Sequence, residues 1–450
     1  MMNPANPAAN LKDAYNAVLL DPLPSGDRRW VDCSPARGGN DIVELLALRI
    51  EGASRSTAQL ISGHRGCGKS TELLRLASRL EREGFLVVYF AADDDIDMGD
   101  LVYTDLLLSI IKRLERVLSD KEIQIDERLS RGILMWFAKE VYGLTEETAV
   151  EANLKTDFEL GLNAPSVLPV FAKLLARITG QIKTGQQIRK DIRLKLDPQI
   201  FQLIERINEF IRAALPQIKK KGFRDLVLII DNLDRIVLRD LDEKTGRTTH
   251  DALYLEHAEQ LKALDAHMIY TVPISMFYSI KATQLAGAFP NYEILPMIKI
   301  AEKDGSPCKE GIGLLLHVAE KRIDVGSLFE EGVVEFLAQK SGGMLRDFIR
   351  LLGYTLEMAQ AGGARLPIDE KMAERAFRRL INEYGRMVPD EHFSLLAKVA
   401  RNKQVRNDAE HQAMLYNLSV LEYMNGDRWC DVHPAVKELA EFKDACRQIE

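Results

Sequence analysis

The apolar positions of this chain change their period several times in its first quarter. Asp41 is a good N-cap residue, and Ile42, Leu45 and Leu46 behind it share one face, which predicts a short helix over Asp41–Arg49. Thr57–Ser62 (TAQLIS) reads as a short buried strand, and Gly63–Gly68 as a glycine-rich loop. Over Lys69–Glu83 the spacing of Leu73, Leu76, Ala77 and Leu80 predicts a helix, with Gly84 in the position that ends it. Phe85–Ala92 (FLVVYFAA) is continuously apolar, as a strand covered on both faces would be. Leu101–Leu118 returns to helical spacing. Strand, loop, helix, strand, helix is the order of a parallel α/β sheet.

The next strong strand is Leu226–Ile230 (LVLII), ending at Asp231. Two strand–helix–strand units need roughly 60 residues, so the distance from Lys69 implies an insertion at about 120–200. Within it we expect a helix around Gly132–Tyr142, a less regular stretch Thr145–Pro169, and a basic segment Gln181–Lys195 leading into a helix from Pro198 to about Leu215. Lys219–Lys221 then suit the negative end of that helix. A further strand is expected at Met268–Pro273, and helices from Ser327 to about Met387, broken at Ser341-Gly342-Gly343 and Gly362-Gly363. From about Asp390 the chain reads as a small separate unit. It is helical to Leu418, then has two short strands, Val420–Met424 and Arg428–Val432, around the turn pair Asn425-Gly426, and closes with a helix Pro434–Phe442.

Composition narrows the class. The 450 residues suffice for two or three domains, 46% are hydrophobic and 28% charged, and the formal net charge of −7 argues against a protein coated in basic surface. The five cysteines, Cys33, Cys67, Cys308, Cys430 and Cys446, contain no C-x-x-C pair, so a disulfide framework or structural zinc is not expected and a reducing cytoplasmic setting is. Cys430 and His433 are too few to make a metal site. Met1–Asn10 has no apolar signal core and reads as a loose arm. The nearest candidate for a membrane span, Leu162–Ile178, is interrupted by Lys173 and Arg177 and reads as a buried or amphipathic helix of a soluble protein with no membrane contact.

The chemistry concentrates at Gly63-His64-Arg65-Gly66-Cys67-Gly68-Lys69-Ser70-Thr71, a full match to the phosphate-cradling pattern G-x-x-x-x-G-K-[ST] between a strand and a helix. Its glycines let successive main-chain N–H groups converge on a phosphate, and the helix beginning at Lys69 adds its positive end. Lys69 is expected to reach the outer phosphates and Ser70 to ligate Mg²⁺. A carboxylate on a neighbouring strand should complete the metal site, and Asp231 fits. Hydrolysing enzymes usually carry a second acid next; here the residue is Asn232, and Asp234 is the available replacement as water-polarising base.

Taken in order, the cradle, the run Asp231-Asn232-Leu233-Asp234-Arg235, a strand carrying Thr271 before Pro273, and the helical stretch with Gly342-Gly343-Met344-Leu345-Arg346 resemble the AAA+ superfamily. The likeness is to its origin-recognition members, with STAND and KAP NTPases close, and it covers roughly residues 40–440. It implies an α/β P-loop sheet flanked by helices, a helical lid, and a C-terminal winged-helix-like domain. The implied divisions are an arm at 1–40, the P-loop domain at 41–300, the lid at 301–388 and the winged-helix-like unit at 389–450. It also implies that Thr271 acts as the sensor near the outermost phosphate, that Arg346 reports that phosphate from the lid with Arg350 one turn on, and that an arginine from a neighbouring subunit, here Arg322, could serve an oligomer.

By the same resemblance the helix near Asp408–Leu418 would be a recognition helix and Val420–Val432 a wing. DNA contact there would draw on Arg401, Lys403, Arg406 and Arg428, opposed by Asp408, Glu410, Asp427 and Asp431, with only Gln412 and Asn417 to read bases. The expectation is therefore an ATP- and Mg²⁺-dependent switch, with ATPase activity, acting on a macromolecular partner and tending to homo-oligomerise. A STAND-like scaffold that holds ATP and assembles with a separate effector is one alternative, and a DNA-loading ATPase another.

Overall fold

The structure, a computed structural model, describes residues 7–142, 168–242, 244–363 and 365–449. Its centre is a five-stranded sheet of β1 (Ala58–Gly63), β2 (Leu86–Ala91), β3 (Leu226–Asp231), β6 (His267–Pro273) and β7 (Tyr292–Leu295), in the order β2-β3-β6-β1-β7 and parallel throughout. The all-apolar run that predicted β3 is fully buried along its length, as a central parallel strand requires. Register brings Ala91 opposite Asp231 and Gly63 opposite both Pro273 and Leu295, so the cradle, Asp231 and Pro273 leave the sheet at the same edge. Ligands of open parallel sheets collect at that edge.

One face of the sheet carries helices Ile42–Glu51 and Lys69–Arg82, the latter through Leu73, Leu76 and Leu80. Asp41 caps the first, accepting from the Val43 N–H as its sequence position predicts. On the other face lie Tyr103–Asp120, Glu127–Tyr142, Leu168–Thr184, Gln186–Leu196 and Ile200–Lys220, a helical layer sharing one apolar core with the sheet. The basic segment 181–195 is helical on both sides of Gly185. Its two arginines are paired, Arg189 with Asp97 at 2.9 Å and Arg193 with Asp100 at 3.0 Å. The expected irregular stretch 145–169 lies almost wholly outside the described residues, and so do residues 162–167 of the Leu162–Ile178 candidate, the rest of which lies in helix Leu168–Thr184. Among the described residues no helix is long and apolar enough to cross a membrane.

Two strand pairings escaped the sequence reading. β7 was hidden because Tyr292–Leu295 is short and only its last residue is fully buried. A small hairpin of β4 (Asp240–Asp242) and β5 (Arg247–Thr248) is too polar to signal itself. The first forty residues also depart from the expected arm. From Ala8 onward they are part of the fold: Ala8 bridges to Ile323, helix Leu11–Ala17 is capped by Asn10 and packs on helix Leu345–Ala361, and residues 19–37 run on over the cradle helix.

The lid consists of helices Lys309–Glu320, Val333–Lys340, Leu345–Ala361 and Glu370–Gly385. Its core is continuous with that of the tail, where helices Phe393–Asn402 and Ala409–Tyr416 precede the hairpin of β8 (Val420–Asn425) and β9 (Asp427–Val432). The tail does not stand apart. Leu421, Tyr423 and Trp429 of the hairpin join the apolar cluster of the cradle helix, so the unit is clamped between the lid and the core under that helix.

Candidate functional site

The loop Gly63–Gly68 folds as its glycines require. Gly63, Gly66 and Gly68 have φ of 143°, 96° and 108°, a region that residues with a Cβ rarely enter. A Cβ at Gly63 would stand 2.6 Å from the Leu295 carbonyl oxygen, and one at Gly66 would stand 2.7 Å from Cβ of Arg346. The loop is therefore wedged between β7 and the lid, and the Gly66 carbonyl accepts from the Arg346 N–H at 3.1 Å.

Lys69 opens the following helix and is buried. Its ammonium donates to the carbonyls of Gly63 and His64 at 2.8 and 3.0 Å and lies 3.0 Å from Asp234 Oδ2. Burial opposes the charge, but Asp234 and, further off, Asp231 more than offset it and raise the lysine above its ordinary value. The Ser70 hydroxyl meets the Asp231 carboxylate. That carboxylate also accepts from Tyr89 Oη at 2.8 Å and from the Asn232 N–H at 2.7 Å, yet burial and Asp234 still push it above the usual carboxylate range. A buried carboxylate held against a hydroxyl, and reluctant to be charged, gains from a hard cation beside it. Ser70 and Asp231 thus suit Mg²⁺ completed by water and phosphate oxygens, and no cluster of three protein ligands exists among the described residues to hold an ion alone. Thr71 Oγ1 accepts from the Leu23 N–H at 3.2 Å, tying residues 19–37 to the cradle helix.

The surroundings of Thr271, Asn232 and Arg322 bear on the roles expected at this site. Thr271, expected as a phosphate sensor, is completely buried. Its hydroxyl accepts from the Leu233 N–H at 2.8 Å and lies 3.4 Å from the Ile230 carbonyl, and it is not on the cavity wall. It anchors the turn that aims Asp234. Asn232, in the place of the second acid, has a left-handed backbone (φ 63°) and turns its amide to Asp93 at 2.8 Å, away from a water-polarising role. Arg322, the candidate for donation to a neighbour, is 9% exposed and lines its own chain's cavity.

The cavity beside the cradle encloses about 1080 Å³, open solvent included. Gly66, Gly68, Lys69, Ser70, Asp231 and Asp234 form its floor. Its far walls come from residues 19–37 and from the lid, where Arg346 is joined by Val318, Arg322 and Ile349. Arg346 makes no ion pair among the described residues, and burial lowers its guanidinium below the ordinary range. Arg37 was not anticipated, since nothing around it in the sequence marks it. It is buried and donates to the Cys67 carbonyl of the cradle.

His64 and Arg65 point the other way, into the tail. His64 Nε2 accepts from the Glu422 N–H of β8 at 2.9 Å. Arg65 donates to the Tyr416 carbonyl at 2.7 Å and stacks over the Tyr416 ring at 4.4 Å, while Tyr416 Oη donates to the Ile236 carbonyl at 3.1 Å. The helix expected to read DNA is therefore docked on the nucleotide side, with His411, Met414 and Leu415 buried. Of the candidate DNA-reading side chains, Asn417 is taken up by Ser419, Lys403 by Asp431 and Arg401 by the Ile449 carbonyl. Arg401, Arg406 and Arg428 remain exposed around this helix.

No protein-family model matches the sequence, and neither does any curated protein. Among solved structures, the ORC2 protein of Aeropyrum pernix, in ADPNP–ADP complexes, is similar at 14% identity and a TM-score of 0.39, covering 90% of this chain and 93% of that one. The Aeropyrum pernix ORC1 protein in complex with DNA is similar at 13% identity and a TM-score of 0.37, with 96% of each chain covered. The Thermotoga maritima RuvB Holliday junction branch migration motor is similar at 13% identity and a TM-score of 0.34, covering 87% of this chain and 92% of that one. Each of these matches covers about nine-tenths of this chain or more, with TM-scores below 0.4. At these scores the likeness is one of arrangement, and what the chain binds is read from its own residues.

Proposed function

We propose that the chain is a nucleoside-triphosphate-dependent switch that binds Mg-ATP between cradle and lid and relays its state to the C-terminal unit. The observation that carries this reading is the convergence of Lys69, Ser70 and Asp231 on the floor of one cavity beneath the glycine cradle. Cradle amides and Lys69 would hold the outer phosphates, with Ser70 and Asp231 on the metal and Arg346 closing from the lid. Mg²⁺, when bound, would neutralise phosphate charge and align the outer oxygens. Adenine in place of guanine rests on the resemblance of the ordered motifs to the AAA+ superfamily; no N-K-x-D guanine-reading motif occurs in the sequence. The domain divisions at 40, 300 and 388 belong to this reading: floor from the second segment, cover from the first and third, readout through the fourth.

Turnover is expected to be slow. Asn232 is committed to Asp93, and Asp234 must leave Lys69 before it can polarise water. That observation also favours a second reading, in which the chain holds ATP with little hydrolysis as a scaffold for a separate effector protein. The docked helix disfavours DNA loading. Equilibrium binding and single-turnover assays separate these readings. Mg-dependent ATP binding that Lys69→Ala abolishes is expected, and unaltered binding in that variant removes the proposal. Steady release of phosphate favours the switch, and ATP retained intact favours the scaffold. DNA-stimulated hydrolysis would restore the loading reading.

A further inference from the structure

Arg322 follows the first lid helix and is 9% exposed. Its Nη1 donates to the carbonyls of Arg29 and Val318 at 3.1 and 2.8 Å, and its Nε has no partner. Among the described residues no carboxylate stands within ion-pair distance of it. The nearest acid bearing on it, Asp27, is engaged by Arg29 at 2.7 Å. Burial, with Arg29's like charge, brings the guanidinium down to about 10, so it is still a cation at neutral pH. Arg37 lies in the same neighbourhood, both arginines bearing on the Cys33 thiol, and it too has no carboxylate partner among the described residues. Buried charges are normally paired, because an isolated one costs several kcal/mol. Two buried arginines on one cavity wall, neither with a carboxylate in ion-pair distance among the described residues, describe a site whose counter-charge arrives with the ligand.

The side from which Arg322 enters narrows which charge that is. It is held by the Arg29 carbonyl, and the segment carrying Arg29 rests on the first turns of the cradle helix: Leu23 N–H on Thr71 Oγ1 at 3.2 Å, and the Trp30 ring 4.1 Å beneath the Arg75 guanidinium. Lys69, Asp231 and Asp234 occupy the strand-end side instead. We propose that Arg322 forms a second anion subsite in the same chain, taking the phosphate nearest the sugar of a bound nucleoside di- or triphosphate, apart from the outer phosphates held by Lys69. This rests on the nucleotide reading above and gives Arg322 a role within its own subunit in place of the donated one expected from sequence.

The test separates a ligand-binding arginine from a structural one by opposite signs. In Arg322→Met the ligand-free protein should melt no lower than the wild type, since an uncompensated buried charge has been replaced by an apolar chain of similar length. Its affinity for ADP and for ATP should fall together by roughly tenfold or more, the scale of one hydrogen bond to a charged group. Arg322→Gln, which keeps a donor and loses the charge, should show the same loss if the charge is what binds. A lower melting temperature of ligand-free Arg322→Met, wild-type affinity in either variant, or a loss confined to ATP would overturn the inference. Wild-type protein that binds neither nucleotide would sink the nucleotide reading itself, whereas wild-type binding with unchanged variants sinks only this assignment.

Discussion

Lys69 shows how closely site and stability are joined at single residues. It is buried between two carbonyls and Asp234, and removing it leaves the buried carboxylates of Asp234 and Asp231 without the cation between them. Lys69→Ala should therefore abolish nucleotide-induced stabilisation and also cost about 3–5 kcal/mol of ligand-free stability, measurable by urea unfolding. Asp231→Asn should spare binding more than turnover; equal loss of both would remove its metal role. His64 offers a pH handle. Burial first, and Lys69 next, push its imidazole down to about 3, so in the folded chain it stays neutral where an unfolded histidine, near 6.5, takes up a proton. Between those values the unfolded state binds more protons, and stability must fall as pH falls from about 6.5. His64→Gln keeps an acceptor for the Glu422 N–H and should flatten that slope between pH 7 and 4; an unchanged slope would assign the acid sensitivity elsewhere.

At the scale of elements, the glycines of the cradle and of the lid entry mark where backbones touch. Gly343 has φ 75°, and a Cβ there would stand 1.7 Å from the Ile298 carbonyl oxygen. Gly363 has φ 58° and open space around it. Gly343→Ala should cost about 2–5 kcal/mol and displace the lid, while Gly363→Ala should cost about 1 kcal/mol, a contrast that thermal melts of the two variants would check. Periodicity announced most of these elements. The β1–loop–helix run, β3 and β6 were legible because central parallel strands are largely apolar and the cradle needs glycine at fixed places, and the edge strand β2 because its run Leu86–Ala91 is apolar throughout. β7 and the segment at 19–37 were not, since each is held by contacts to distant chain rather than by a local pattern. Of the site, Lys69, Ser70 and Asp231 were legible from spacing. Arg37 was not, and Thr271 and Arg322, placed by analogy, are found buried, the one holding the Leu233 N–H and the other lining its own chain's cavity.

Over the whole molecule, the cradle looks both inward and outward. Lys69 and Ser70 face the cavity, while His64 and Arg65, a few residues earlier, hold the tail through Glu422 and Tyr416. Arg65 touches both, lining the cavity and stacking on Tyr416. A shift of the loop on nucleotide exchange should therefore be felt at residues 409–432. Hydrogen exchange in ATP, ADP and no nucleotide should show protection of that segment changing with the ligand, and Arg65→Ala should remove the dependence while β1 and β3 stay protected. Identical exchange in all three conditions would disconnect the tail from the site.

The wall of the cavity joins Arg29 to Arg322, 293 positions apart along the chain. A molecule lodged there acts as a removable staple between the chain's opening and its last third. Protection gained from saturating ligand should accordingly be spread over all three apolar clusters rather than confined to the loop that grips the phosphates.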